Sequence, residues 1–201
     1  YSRFTSSKNG VKASVLSFVP LNDNCEISQL TLTNGSSEDK KLSVFSYVEW
    51  CLWNADDDMK NFQRNLSTGE VEVQDSTIYH KTEYRERRNH YAIYSVNTKI
   101  DGFDTSRDAF LGAYRGADSP EVVENGKCTN SIASGWSPIA SHQINVDLAA
   151  GESKTFIFVL GYIENPEDEK WESYGVINKT RAKEMLAKYQ TDAQVDEAFA
   201  A

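Results

Sequence analysis

The sequence predicts a mainly β protein, an antiparallel β-sandwich followed by a helical C-terminal tail. Three observations predict it. From Val11 to Ile163, short runs of alternating apolar and polar residues are separated by clusters of Asn, Gly, Asp and Ser. After Pro166 the apolar period becomes helical. Strands thus come first and helices last, the order of a sandwich leading into a separate helical unit. The 201 residues are 39% hydrophobic and 11% aromatic, which supplies a core and excludes a disordered chain.

Each element has its own signal. Residues 11–19 (VKASVLSFV) and 26–33 (EISQLTLT) read as strands, followed by an Asn34-Gly35 turn and the charged SEDK loop. In KLSVFSYVEW (41–50), Leu42, Val44, Val48 and Trp50 share one parity while Phe45 and Tyr47 take the other, so both faces of this strand are covered. Residues 70–74 and 77–80 form two short strands, and HYAIYSVNTK (90–99) is a β-branched and aromatic one. Residues 101–140 lose the period; so long an irregular segment is functional or packed on a neighbour. Strands return at HQINVDL (142–148) and KTFIFVLGYI (154–163), with Gly151 in the turn between them. In NKTRAKEMLAKYQ, Ala182, Met185, Leu186 and Tyr189 fall on one helical face with Asn178 as N-cap, and a second amphipathic piece starts near Asp192. The body therefore holds about eight strands.

The net charge of −9 argues against nonspecific nucleic-acid binding and fits a soluble cytoplasmic protein. Cys25, Cys51 and Cys128 are odd in number and lack a CxxC pair, so they read as reduced, mostly buried thiols. No signal peptide opens the chain, and no apolar run approaches the roughly 20 residues of a membrane span. The sequons at Asn34, Asn65 and Asn178 would matter only in a secreted protein. The chain opens on YSRFTSSKNGVKASV without an initiator Met and closes in the helical run DAQVDEAFAA, so both ends read as cuts in a longer protein.

Catalytic signatures are missing: there is no GxSxG, P-loop, GxGxxG or HExxH. His80, His90 and His142 have no metal-ligand spacing and read as structural or surface histidines. Asp56, Asp57 and Asp58 read as a solvated turn, since calcium loops space their oxygen ligands more widely. YRERRN (84–89), with Glu83 and Glu86, reads as an ion-paired surface turn or an interface contact. Asp104, Arg107 and Asp108 in GFDTSRDAFLG could form an acid–base pair, but more often such a set holds a loop in shape. WNADDDMKNFQR combines Trp, Asn, Gln and Arg, the side chains that stack on sugar rings and bond pairs of hydroxyls. Core aromatics beside a polar loop have the same composition.

Several long stretches together carry a resemblance: EWCLWNADDDMKNFQRNLSTGEVEV, IYHKTEYRERRNHYAIYSVN, GFDTSRDAFLG, NGKCTNSIASGWSPIASH and FVLGYIEN. From about Val11 to its last residues the chain closely resembles the cellobiose phosphorylases of glycoside hydrolase family 94. The resemblance implies residues 1–165 as an N-terminal β-sandwich of the galactose mutarotase-like supersandwich kind, without its first strands. It implies residues 166–201 as the start of a helical linker to an absent (α/α)6 barrel. Such enzymes cleave cellobiose with inorganic phosphate, giving α-D-glucose 1-phosphate and D-glucose with inversion. Phosphate is a substrate there and no cofactor is needed. The general acid and the phosphate site lie on the barrel, so the resemblance implies no catalytic residue and no metal site in this chain. It implies instead a homodimer in which a sandwich loop closes the partner's acceptor-sugar site. The matching positions are Gln63 and Arg64, with Asn61 and Asn54 as weaker matches. Sister enzymes acting on cellodextrin, chitobiose or laminaribiose, and an autonomous carbohydrate-binding sandwich, are the alternatives.

Overall fold

The computed structural model describes residues 1–50, 69–82, 89–133 and 138–201. A seven-stranded antiparallel sheet spans the molecule in the order β1-β2-β3-β11-β8-β7-β6. Its strands are β1 (Ser2–Lys8), β2 (Val11–Phe18), β3 (Cys25–Asn34), β6 (Gly69–Gln74), β7 (Thr77–Thr82), β8 (His90–Val96) and β11 (Ser153–Glu164). A smaller sheet is centred on β10 (Pro138–Leu148). One edge of β10 pairs with β4 (Lys40–Phe45) and then β5 (Val48–Glu49), and the other edge pairs with β9 (Gly102–Ser106). A hairpin of β12 (Trp171–Ser173) and β13 (Val176–Ile177) stands apart. The helices are α1 (Arg107–Leu111), α2 (Glu121–Asn125), α3 (Thr180–Leu186) and α4 (Asp192–Ala200).

Strand β11 shows why the layers form. Phe156, Phe158 and Leu160 join Leu30, Leu32, Ile78, Tyr94 and Val96 in the core between the two sheets, closed by Ile144, Val146 and Leu148 of β10. The alternate residues Ile157, Val159 and Ile163 face the other way, with Ile27, Tyr91 and Ile93. That outer side is covered by Ala182, Met185 and Leu186 of α3, then Tyr189 and Val195. A strand apolar on both parities is one buried on both faces. At Gly161, a Cβ would sit 2.5 Å from Met185 Cε and 3.0 Å from Ile93 Cγ1, so the missing side chain lets α3 approach the sheet. Helix α4 starts at a capping box: Thr191 Oγ1 accepts from Gln194 N at 3.3 Å while Gln194 Oε1 accepts from Thr191 N at 3.0 Å. A third core lies on the far side of the small sheet, where Phe110, Leu111 and Val122 of the two short helices pack on Ile139, Phe45 and Tyr47.

The antiparallel sandwich and the helical tail match the sequence reading, with five differences in detail. Residues 41–50 are two strands, because the ladder breaks at Ser46, whose N–H donates to His142 O at 3.0 Å. The two parities nevertheless face the two cores as read: Leu42, Val44, Val48 and Trp50 inward, Phe45 and Tyr47 outward. Residues 101–140 hold β9, α1, α2 and the start of β10. Short elements of five residues leave too few periods to see. Strand β1 is exposed along all seven residues, so backbone pairing with β2 holds it without any apolar alternation. Strands β12 and β13, of three and two residues, are too short to show a period, and the described residues hold thirteen strands in place of about eight. Asn178 precedes the geometric N-cap Lys179, but its Oδ1 accepts from Thr180 N at 3.0 Å and so caps the helix from outside. No helix among the described residues is long and apolar enough to cross a membrane.

Candidate functional site

The strand register gathers several chain crossings at one end of the sandwich. Gly69 pairs with Thr82, Lys81 with Tyr91, and His90 with Glu164, so β6 starts where β7 ends, β8 starts and β11 ends. In the small sheet Glu49 pairs with Ile139, and Pro138 with Ser106. Trp50 joins the two ends: its ring stacks on His80 of β7 with centroids 5.2 Å apart and planes 12° apart. Residues 51–68 leave from Trp50 and rejoin at Gly69. Asn54, Asn61, Gln63 and Arg64 lie outside the described residues, as do Asp56, Asp57, Asp58 and residues 84–88 of the YRERRN cluster (84–89). What the structure describes is the base from which that segment departs and to which it returns.

Three groups of side chains fix this base. On the small sheet, Glu49 Oε1 accepts from Tyr47 Oη at 2.6 Å and from Arg107 Nε at 2.9 Å. Burial, then the Glu49 carboxylate, pushes the Tyr47 phenol up, and the bond to Glu49 raises Arg107 further. Arg107 opens α1, whose N-cap Ser106 accepts from Ala109 N. Thus Arg107 holds β5, and not Asp104 or Asp108 as the loop reading expected. The loop-holding role falls to Asp104 alone. Fully buried, it accepts from the backbone N–H and hydroxyl of both Thr129 and Ser131, at 2.5–3.2 Å.

On the large sheet, Glu72 is the hub. It accepts from Lys179 Nζ at 2.5 Å, Lys81 Nζ at 2.9 Å and Ile177 N at 3.0 Å. Both ammonium groups are almost buried, at 5% and 9% side-chain exposure. Lys81 also reaches Glu70 at 3.1 Å and donates to Gly175 O, and Lys179 lies over the Tyr79 ring. Hydrogen bonds from Lys179, Ile177 and Lys81 hold the Glu72 carboxyl below its usual range against the opposing desolvation. This cluster ties the β6–β7 hairpin to the β12–β13 hairpin and the start of α3. A cleft of about 410 Å³ beside it is lined by Glu72, Val73, Gln74, Gly175, Val176 and Lys179. The third group is His90, which bonds Tyr162 Oη and lies 3.3 Å from Glu164.

Burial pushes the Cys25 thiol up to about 12 and Cys128 higher still, so these two thiols, the free cysteines among the described residues, are held in the protonated form near neutral pH. A Ser–His contact exists, with Ser46 Oγ 3.1 Å from His142 Nδ1, but His142 is fully buried inside the sandwich and desolvation lowers it to about 3. His80, against Trp50, is lowered to about 4 for the same reason. Neither can exchange a proton with a substrate near neutral pH. The Trp50–His80 stack could not be read from the sequence, because the two residues meet only when the sheets close.

Residues 1–192 match the family model described as glycosyl hydrolase 94, supersandwich domain. The whole chain is similar to N,N'-diacetylchitobiose phosphorylases of Vibrio furnissii and Vibrio proteolyticus, each 29% identical over 202 residues that make up 23% of the relative. It is also 26% identical over 207 residues to a solabiose phosphorylase of Paenibacillus borealis, 24% of that protein. The chain therefore spans about a quarter of the length of these curated relatives.

Proposed function

Because the chain belongs to the glycosyl hydrolase 94 supersandwich family, we propose that it is the non-catalytic sandwich domain of an inverting disaccharide phosphorylase. The parent enzyme converts cellobiose and inorganic phosphate to α-D-glucose 1-phosphate and D-glucose. A carboxylic acid elsewhere in the enzyme protonates the leaving oxygen while phosphate attacks the anomeric carbon from the opposite face. The domain's part is positional: it forms a homodimer, and the segment with Asn54, Asn61, Gln63 and Arg64 closes the partner's acceptor site. Arg64 orients the leaving glucose with its rigid donor fork. The family match over residues 1–192 carries this reading. Its support in the structure is a braced base for residues 51–68, where Trp50 stacks on His80 and Glu49 holds Arg107.

N,N'-diacetylchitobiose is the second substrate reading, favoured by the 29% identical relatives that carry that name. The test is phosphorolysis by the parent protein on cellobiose, cellotriose, diacetylchitobiose, laminaribiose and solabiose side by side. Preferential α-glucose 1-phosphate release from cellobiose supports the first reading. A preference for another sugar moves the substrate and keeps the reaction. No phosphorolysis of any of them overturns the proposal in favour of a sugar-binding module. Arg64→Ala in the parent should raise KM for cellobiose with kcat little changed if the lost contact is uniform binding, and unchanged kinetics would remove Arg64 from the acceptor site.

A further inference from the structure

The chain contains three Asn-Gly pairs, at 9–10, 34–35 and 125–126. An Asn-Gly pair can rearrange spontaneously. The glycine nitrogen, after losing its proton, bonds to the Asn Cγ, the Cγ–Nδ2 bond breaks, and Nδ2 leaves as ammonia. The resulting succinimide takes up water at one of its two carbonyls, giving aspartate or isoaspartate. Glycine is the most permissive successor because no Cβ obstructs the ring closure. The reaction needs a glycine N–H free of partners and an Asn side chain free to turn, so the fold decides which pair reacts.

The three environments differ sharply. Asn34 is fully buried, and its Nδ2 donates to Glu38 O at 2.8 Å and to Leu148 O and Ala149 O at 3.1 Å. Its Oδ1 accepts from Ser36 N and Oγ, and Gly35 N donates to Gly10 O at 2.8 Å. Asn125 is exposed at the end of α2, but the Gly126 N–H is held by Val122 O and Val123 O. Asn9 and Gly10 form the two-residue turn between β1 and β2, with φ of +52° and +79°, the pair of positive angles a type I′ turn needs. Both are exposed, and among the described residues neither the Asn9 amide nor the Gly10 N–H has a hydrogen-bond partner. The turn geometry must loosen before the ring can close. Among the described residues β1 pairs with β2 alone and every one of its residues is exposed, so the turn is held by that single ladder and by the Gly35 N–H on Gly10 O, and such elements open at little cost.

We propose that Asn9 is a spontaneous deamidation and isoaspartate site, with Asn125 slower and Asn34 protected. The consequence is structural. An isoaspartate adds a backbone carbon to a turn whose two residues fix the Lys8–Val11 register, and it adds a negative charge. Strand β1, paired only with β2 among the described residues, then loses its register and the contact between Tyr1 and Phe199.

The test is peptide mapping by mass spectrometry after ageing the intact chain at mildly alkaline pH, with isoaspartate methyltransferase labelling as the second readout. The expected order is Asn9 first, Asn125 next, and Asn34 unchanged, with cleavage at Arg3 and Lys8 by trypsin accelerating as Asn9 converts. Asn9→Gln should abolish both the label at that peptide and the faster cleavage. In urea the three pairs should react at similar rates, which assigns the difference to the fold. An Asn34 or Asn125 rate equal to or above that of Asn9 in the folded chain overturns the proposal.

Discussion

The outer face of the large sheet has a covered half and an open half, and single strands pass through both. Phe18, Ile27 and Val159 are register partners on β2, β3 and β11, and all three are buried beneath the helical tail. Two residues further along each strand the row is Leu16, Gln29 and Ile157, and there Gln29 Nε2 donates to Asp192 Oδ1 at 3.0 Å. The next row is Ser14, Thr31 and Thr155, with Thr5 alongside on β1. The last is Lys12, Thr33 and Ser153, with Ser7 alongside. Cross-strand hydroxyl pairs replace apolar contacts there, Thr33 with Ser153 at 2.8 Å and Thr31 with Thr155 at 3.4 Å. The edge of the helical cover is therefore written as a straight line across the sheet, at Asp192. A face of β-branched hydroxyl residues stays strand-forming while remaining wet, which avoids leaving a bare apolar surface. The Glu72 cluster is a third kind of cover, in which ion pairs do what apolar side chains do under the tail.

The strongest way to break this contrast is Ile27→Ala, which opens a cavity in the covered half and should cost about 3 kcal/mol in urea unfolding. A loss below roughly 1 kcal/mol would mean the tail does not pack as described. Glu72→Leu leaves two nearly buried ammonium groups without their shared carboxylate and should cost roughly 2–3 kcal/mol, less than a fully buried pair because the side chain of Glu72 keeps 19% exposure. A stability unchanged by that substitution would show that the hairpin is held without ions. The inner face adds a pH dependence. His80 and His142 are lowered from 6.5 to about 4 and about 3, so the unfolded chain binds protons that the folded chain refuses. Stability is full above pH 6.5 and falls as pH drops toward those folded values, by up to about 1.4 kcal/mol per unit for each histidine. His80→Phe should remove its share of the slope, and an unaltered slope would point to other groups. Gly161→Ala should cost about 1 kcal/mol, because Met185 can swing its terminal methyl aside while Ile93 must shift. Thr31→Val, in the open half, should change stability by less than about 0.5 kcal/mol. A cost like that of Ile27→Ala would mean the open half is covered after all.

Much of this contrast was legible in the sequence. The odd positions of β3 run Cys25, Ile27, Gln29, Thr31, Thr33 while Leu30 and Leu32 keep the even side apolar, so the pattern holds both the strand and the limit of its cover. The double parity of residues 41–50 predicted burial on two faces, and Ala182, Met185, Leu186 and Tyr189 predicted the helical stripe, whereas the two-face burial of β11 came from the structure. Strand β1 was not legible, because backbone pairing without burial leaves no periodicity. The Glu72 hub was not legible either: Lys81 and Lys179 lie 98 residues apart in the chain (179 − 81) and look like ordinary surface lysines. At the candidate site, composition pointed to residues 53–64, whereas the anchorage of the segment's two ends through Trp50, His80, Glu49 and Arg107 depends on the closing of two sheets.

The Trp50–His80 stack gives the molecule an optical signal of its own. A protonated imidazole lying 5.2 Å from an indole and nearly parallel to it withdraws excitation from the ring, whereas a neutral one leaves the emission bright. Trp50 fluorescence should dim as His80 takes up its proton near pH 4 in the folded chain, and the difference between the wild type and His80→Phe isolates that emission from the other tryptophans. The departure point of residues 51–68 can thus be followed by light in solution, without a label, while sugars or a partner are added.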